Sequence, residues 1–209
     1  MDWRRKLSGF YAVLDRDDPS LARALLDAAH VLQVRLKGAS QKEVVGVASW
    51  AREMCDERRA LLVVNDDLAA ALAVGADAVH LGQDDMPLAE ARQRGGRILI
   101  GISTHDLGQV VRAVSGGADY LGFGPVYATG TKVDPDPVQG TDGLARAVCA
   151  AGGVPVVAIG GITPERAAEV AAAGAHAACA IASVNRSADP SAAGRRIAEA
   201  MTSGLRPRS

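Results

Sequence analysis

With 209 residues, 48% of them hydrophobic and 22% charged, the chain can bury a sizeable core, and global disorder is excluded. A net charge of −1 and only 3% aromatic residues argue against a general nucleic-acid surface, an anionic-membrane surface or a stacking platform for single strands. No apolar run approaches the roughly 20 residues of a membrane helix, and residues 1–10 are basic without the apolar stretch of a signal peptide.

Short apolar segments rich in strand formers fall at 10–14, 31–36, 61–64, 78–81, 98–102, 120–123, 154–159 and 175–181. Segments of helical period alternate with them, at about 19–29, 40–59, 67–74, 87–95, 105–116, 141–151, 163–173 and 189–202. Start signals stand at Pro19, Ser40, Asp67, Pro87, Thr104, Thr163 with Pro164, and Asp189 with Pro190. Gly75, Gly117, Gly152 and Gly174 mark helix ends. Near-continuous apolar strands indicate a parallel sheet covered on both faces. The unbroken alternation predicts a closed (β/α)8 TIM barrel, a single domain over 1–209 with a frayed polar tail over about 202–209. The related stretches GADAVHLG, GADYLGFG and GAHAACAI each join a helix end to the next strand, so this repeat is architectural. Cys55, Cys149 and Cys179 match no disulfide or zinc spacing. Each reads as a small buried apolar residue, and together they indicate a reduced, cytoplasmic compartment.

In such a barrel the chemistry sits at the C-terminal ends of the strands. Gln33, Arg35 and Lys37 are spaced by two, which places them on one strand face pointing into the lumen near its top. A solvated strand end or an ion pair is the alternative. The third and fourth strands end in Asn65-Asp66-Asp67 and in His80-Leu81-Gly82-Gln83-Asp84-Asp85. Asp67 suits a helix cap. Carboxylates on adjacent strand ends repel unless a cation lies between them, and hard oxygen ligands without a Cys/His cluster point to Mg2+. Thr104 reads as an N-cap, and Ser103 as a cap or a ligand donor. His105 beside Asp106 reads as structural, as do His30, His80 and His176. After the sixth strand, Thr129, Thr131 and Lys132 bring hydroxyls and an ammonium to a loop, with a polar run 133–140 behind them that could act as a lid. Gly160-Gly161 and Ile181-Ala182-Ser183 end the strands whose loops make the recurrent phosphate site of this architecture. No nucleophile paired with a general base is apparent, so the reaction should run on leaving-group stabilisation.

With these motifs in place, from Gln33-Val-Arg35-Leu-Lys37 through Gly124-Pro-Val-Tyr-Ala-Thr129-Gly-Thr131-Lys132 to Ile159-Gly-Gly161-Ile-Thr163, the chain resembles the thiamine phosphate synthases over nearly its full length. The resemblance implies a transferase in thiamine biosynthesis. It would join 4-amino-2-methyl-5-(hydroxymethyl)pyrimidine diphosphate to 4-methyl-5-(2-phosphoethyl)thiazole and release pyrophosphate by a dissociative, Mg2+-assisted route. Gln33, Arg35, Lys37, Asn65, Ser103 and Lys132 would bind the pyrimidine diphosphate, with Lys37, Lys132 and Ser103 serving catalysis. Asp66 and Asp85 would hold Mg2+. Thr129, Thr131, Gly161 and the backbone at Ile181-Ala182 would take the thiazole phosphate. The family often has serine at the position of Ala182, so phosphate binding there should weaken rather than vanish. Leu36, where the family pattern is acidic or polar, reads as an outward, helix-facing residue. The implied partners are small phosphorylated substrates, with neither nucleic acid nor membrane, and a homo-oligomer is left open. The alternatives are a related barrel that only aromatises the thiazole, with His105 as its acid/base, and a non-catalytic phosphate-ligand binder.

Overall fold

The structure, a computed structural model, describes residues 2–130 and 136–203. Its strands are β1 (Gly9–Leu14), β2 (Val31–Val34), β3 (Leu61–Asn65), β4 (Ala78–Leu81), β5 (Leu99–Thr104), β6 (Tyr120–Phe123), β7 (Val156–Ile159) and β8 (Ala177–Cys179). They pair in parallel in that order and close, β8 on β1, into the expected barrel. The helices are α1 (Trp3–Leu7), α2 (Pro19–Leu26), α3 (Gln41–Arg58), α4 (Leu68–Ala73), α5 (Leu88–Gly95), α6 (Leu107–Ser115), α7 (Gly140–Ala150), α8 (Ala167–Ala172), α9 (Ala182–Asn185) and α10 (Pro190–Ser203).

Alternation along each strand divides the core in two. Outward residues such as Phe10, Ala12, Leu14, Leu62 and Leu121 pack under the helices. Inward residues, among them Tyr11, Val13, Val31, Val63, Tyr120, Val157 and Cys179, fill the lumen. The unpredicted α1 joins this inner set through Leu7 and Trp3, and so plugs the end where the strands begin.

The repeat proves architectural in a specific way. In the second copy, Asp119 accepts from the Ile100 amide at 2.8 Å and from Arg92 at 2.6 Å. In the first, Asp77 does the same for the Leu62 amide and Arg52, at 2.8 and 2.6 Å. The third copy has His176 instead, whose Nε2 meets the Arg4 carbonyl at 2.8 Å.

Several local expectations change. Thr104 is not a cap: it is buried in β5 and donates its hydroxyl to the Gly122 carbonyl, while Asp106 caps α6 through the Gln109 amide. Asp67 caps α4 as expected, and Ser40 with Glu43 forms a capping box on α3. The segment opened by Thr163 and Pro164 starts as a turn, and α8 begins only at Ala167. β8 is shorter than predicted, and a separate helix, α9, follows it. Thr202 and Ser203, placed in the frayed tail, are helical; residues 204–209 lie outside the described part. Cys149 is exposed, whereas Cys55 and Cys179 are buried. Among the described residues no helix is long and apolar enough to cross a membrane.

One glycine sets the floor of the lumen. A Cβ on Gly101 would lie 2.1 Å from the Tyr120 ring, so its absence lets that ring lie across the barrel. Gly101→Ala is expected to cost about 1–3 kcal/mol through overpacking. Denaturant unfolding checks this, and an unchanged midpoint would show that the ring can retreat.

Candidate active site

At the C-terminal ends of the strands lies a cavity of about 850 Å3. Gln33, Arg35, Asn65, Asp66, Asp85, Ser103, Thr129, Gly161, Ile181 and Ala182 all line it. Thr131 and Lys132, and with them part of the run read as a lid, lie outside the described residues.

Lys37 departs from its expected place. β2 ends at Val34 and the chain turns at Lys37-Gly38, with Gly38 at φ +74°. The two-residue period therefore ends with the strand. Lys37 lines a smaller side recess, which shares Arg35, Asn65 and Asp66 with the main cavity. Leu36 is partly buried against the outer core, as its outward reading requires.

The acidic pair forms where β3 and β4 end. Asp66 sits in a left-handed conformation, φ +64°, and its amide donates to the His80 carbonyl at 2.8 Å. Asp85 accepts from the Gly82 amide at 2.6 Å. Desolvation, then the hydrogen bond and the charge of Asp85, push the Asp66 carboxyl from 3.8 to about 7, against the opposing pull of Arg35 and Asn65. The folded chain thus holds this proton more tightly than the unfolded chain. The stabilising contribution is complete below pH 3.8 and is lost as the pH rises through about 7. In chelator, the melting temperature of the wild type should therefore fall relative to Asp66→Asn across that window. A constant difference would mean that neither burial nor Asp85 raises the Asp66 carboxyl.

On the floor of the cavity, which Tyr11, Gln33, His80, Ser103 and Tyr120 all line, inward residues form a continuous polar chain. Gln33 Nε2 donates to the Tyr11 hydroxyl at 3.0 Å, and the Tyr11 and Tyr120 hydroxyls are 3.0 Å apart. His80 Nδ1 lies 3.1 Å from the Tyr120 hydroxyl, and His80 Nε2 lies 2.9 Å from Ser103 Oγ. Burial, with the charge of Arg35, lowers the His80 pKa to about 4 despite Asp85. Reading His80 as structural missed its partners. Its place two residues after inward Ala78 in the same strand was the available signal. Tyr11 and Tyr120 went unnoticed because their contacts are long-range.

The opposite rim is built by loops leaning on one another. Val126 and Tyr127 amides donate to the carbonyls of Ile159 and Gly160 at 2.9 and 3.0 Å. Tyr127 donates to Glu169 at 2.7 Å, and Arg166 stacks on its ring while donating to the Gly161 carbonyl at 2.7 Å. A Cβ on Gly161 would stand 2.4 Å from the Ala128 carbonyl, so this glycine admits the neighbouring loop as well as lining the cavity. His105 anchors the same rim, with Nδ1 2.7 Å from the Gly124 carbonyl and 3.5 Å from Asp136. Arg166 and Arg186, which the sequence reading did not single out, also line the cavity.

The family model described as Thiamine monophosphate synthase matches residues 10–184. The chain belongs to the thiamine monophosphate synthase family. It is 44% identical to the thiamine-phosphate synthase of Methanospirillum hungatei over 179 residues, covering 85% of this chain and 86% of that one. It is also 44% identical to the thiamine-phosphate synthase of Chloroflexus aurantiacus over 174 residues, covering 83% and 80%. The solved thiamine phosphate pyrophosphorylase of Pyrococcus furiosus superposes with a TM-score of 0.89 at 33% identity, covering 98% of this family member and all of that chain. A 3-hexulose-6-phosphate synthase at 17% identity and a TM-score of 0.70 shares the fold.

Proposed function

We propose that the chain is a thiamine-phosphate synthase, joining the pyrimidine diphosphate to the thiazole phosphate with release of pyrophosphate. The observation that carries this reading is the meeting of an acidic pair, Arg35, Gln33 and Ser103 at one mouth of a family barrel. Relatives at 44% identity bearing the thiamine-phosphate synthase name support it.

Asp66 and Asp85 fit a divalent cation. Two hard oxygen donors crowd one another and retain a proton, which a cation would displace. Among the described residues no group of three His, Cys, Asp or Glu assembles around a metal site. That suits Mg2+, which binds through one or two carboxylates and completes its shell with phosphate oxygens and water. When bound, Mg2+ would neutralise charge on the diphosphate. Arg35 and, from the adjoining recess, Lys37 would add positive charge along the departing diphosphate. Gln33, Asn65 and Ser103 would hold the pyrimidine end. Thr129, Gly161 and the Ile181-Ala182 backbone would hold the acceptor's phosphate, bringing its nitrogen to the pyrimidine methylene. Buried Cys179, its thiol pushed up to about 12 by desolvation, is unsuited to act as the nucleophile.

Incubating the protein with both substrates and Mg2+ should yield thiamine phosphate and an equal amount of pyrophosphate. Binding of the thiazole phosphate without pyrophosphate would instead mark a phosphate-ligand binder, and conversion of a thiazole tautomer alone would mark an aromatising enzyme. Thr129→Ala should raise KM for the thiazole phosphate about tenfold, the loss of one hydrogen bond to a charged group. The KM for the pyrimidine diphosphate should hardly move, and the reverse pattern would reassign the loop.

A further inference from the structure

The polar chain on the cavity floor has a direction, and the direction decides what Ser103 offers to a ligand. Gln33 Nε2 can only donate, so the Tyr11 oxygen accepts from it. The Tyr11 hydroxyl is buried, and among the described residues its hydrogen has one remaining partner, the Tyr120 oxygen at 3.0 Å. Tyr120 in turn has one acceptor left among the described residues for its own hydrogen, His80 Nδ1 at 3.1 Å. A reversed order would leave the Tyr11 hydrogen buried without an acceptor, which carries a desolvation penalty. With Nδ1 accepting, neutral His80 carries its hydrogen on Nε2 and donates it to Ser103 Oγ at 2.9 Å.

We propose that His80, set by Tyr120, Tyr11 and Gln33, is a positioning residue that occupies one lone pair of Ser103 and turns the serine hydrogen into the cavity. Ser103 then acts as a hydrogen-bond donor toward the anionic or lone-pair-bearing end of the pyrimidine substrate. The tautomer follows from the protein alone, and only the identity of the acceptor rests on the synthase reading. The whole order hangs on the Gln33 amide. Turned over, it would accept from Tyr11, reverse every bond and leave Ser103 donating to His80. Gly101, by making room for Tyr120, is what allows the chain to cross the lumen.

Long-range proton–nitrogen NMR of the histidine-15N protein at neutral pH reads the tautomer directly. We expect His80 to show a protonated Nε2 and a bare Nδ1, with Nδ1 losing its hydrogen-bond shift in Tyr120→Phe. A protonated Nδ1, or both nitrogens protonated, would overturn the proposal, and the wild-type spectrum needs no substitution. Steady-state kinetics provides the second arm. His80→Gln, whose amide can replace the Nε2 donor, should keep kcat within about tenfold of wild type, whereas His80→Leu should lose on the order of 100-fold, comparable to removing a preorganised donor. Substrate KM values should move little in either. Equal losses in the two variants, with both folded, would reduce His80 to a packing residue. A wild type without turnover would count against the synthase reading, while the spectrum would still decide the tautomer.

Discussion

Asp66→Ala should remove Mg2+-dependent turnover, lowering kcat/KM by about 100- to 1000-fold, the scale of deleting one preorganised electrostatic contact, while the barrel stays folded. The physical basis is the crowding of Asp66 and Asp85 at the ends of β3 and β4. Asp66 reaches the rim because its backbone adopts a left-handed turn, tied by its amide to the His80 carbonyl. Alanine at φ +64° carries some strain, so Asp66→Asn, which tolerates that conformation, is the companion variant. Titration calorimetry with Mg2+ and either substrate supplies a readout apart from turnover. Wild-type binding should be pH-dependent, tightening as the shared proton is lost, and both variants should bind weakly. Full activity of either variant at ordinary Mg2+ would move the metal elsewhere.

The second large effect is expected at Arg35. Arg35 lines both the main cavity and the side recess, and its charge acts on Asp66, His80 and Cys179. Arg35→Met preserves length and apolar packing but removes that charge. We expect kcat to fall on the order of 100-fold and KM for the pyrimidine diphosphate to rise, because charge on the departing oxygens loses a fixed counter-charge. Product inhibition by pyrophosphate should weaken in parallel, whereas the thiazole phosphate KM should stay near its wild-type value. A change confined to the thiazole phosphate would assign Arg35 to the other half of the cavity. The same variant should raise the Asp66 pKa further, since Arg35 opposes the upward push.

The lining of the cavity was legible where it follows strand position. Gln33 and Arg35 shared a face, and Asn65, Asp66, Asp85 and Ser103 each stood at or just past a strand end. Lys37 was misplaced because a spacing of two carries directional meaning only while the chain is extended: the Arg35 amide still pairs with the Leu14 carbonyl, but the chain turns at Lys37-Gly38. Thr104 was misread because a threonine before a helix fits either a cap or a strand end. Asp106 won the cap, and the buried Thr104 hydroxyl found the Gly122 carbonyl.

By itself, the sequence determined the alternation of strands and helices, the caps at Ser40 and Asp67, and the family to which the chain belongs. Those features rest on local periodicity and short motifs, which neighbouring residues encode together. The tertiary structure alone decided that Asp66 is desolvated beside Asp85, which pushes its carboxyl up, and that Gln33, Tyr11, Tyr120, His80 and Ser103 form one chain across the lumen. Tyr11 and Tyr120 lie 109 positions apart and touch only because the barrel closes. No local rule carries that distance; the inward register of the strands does.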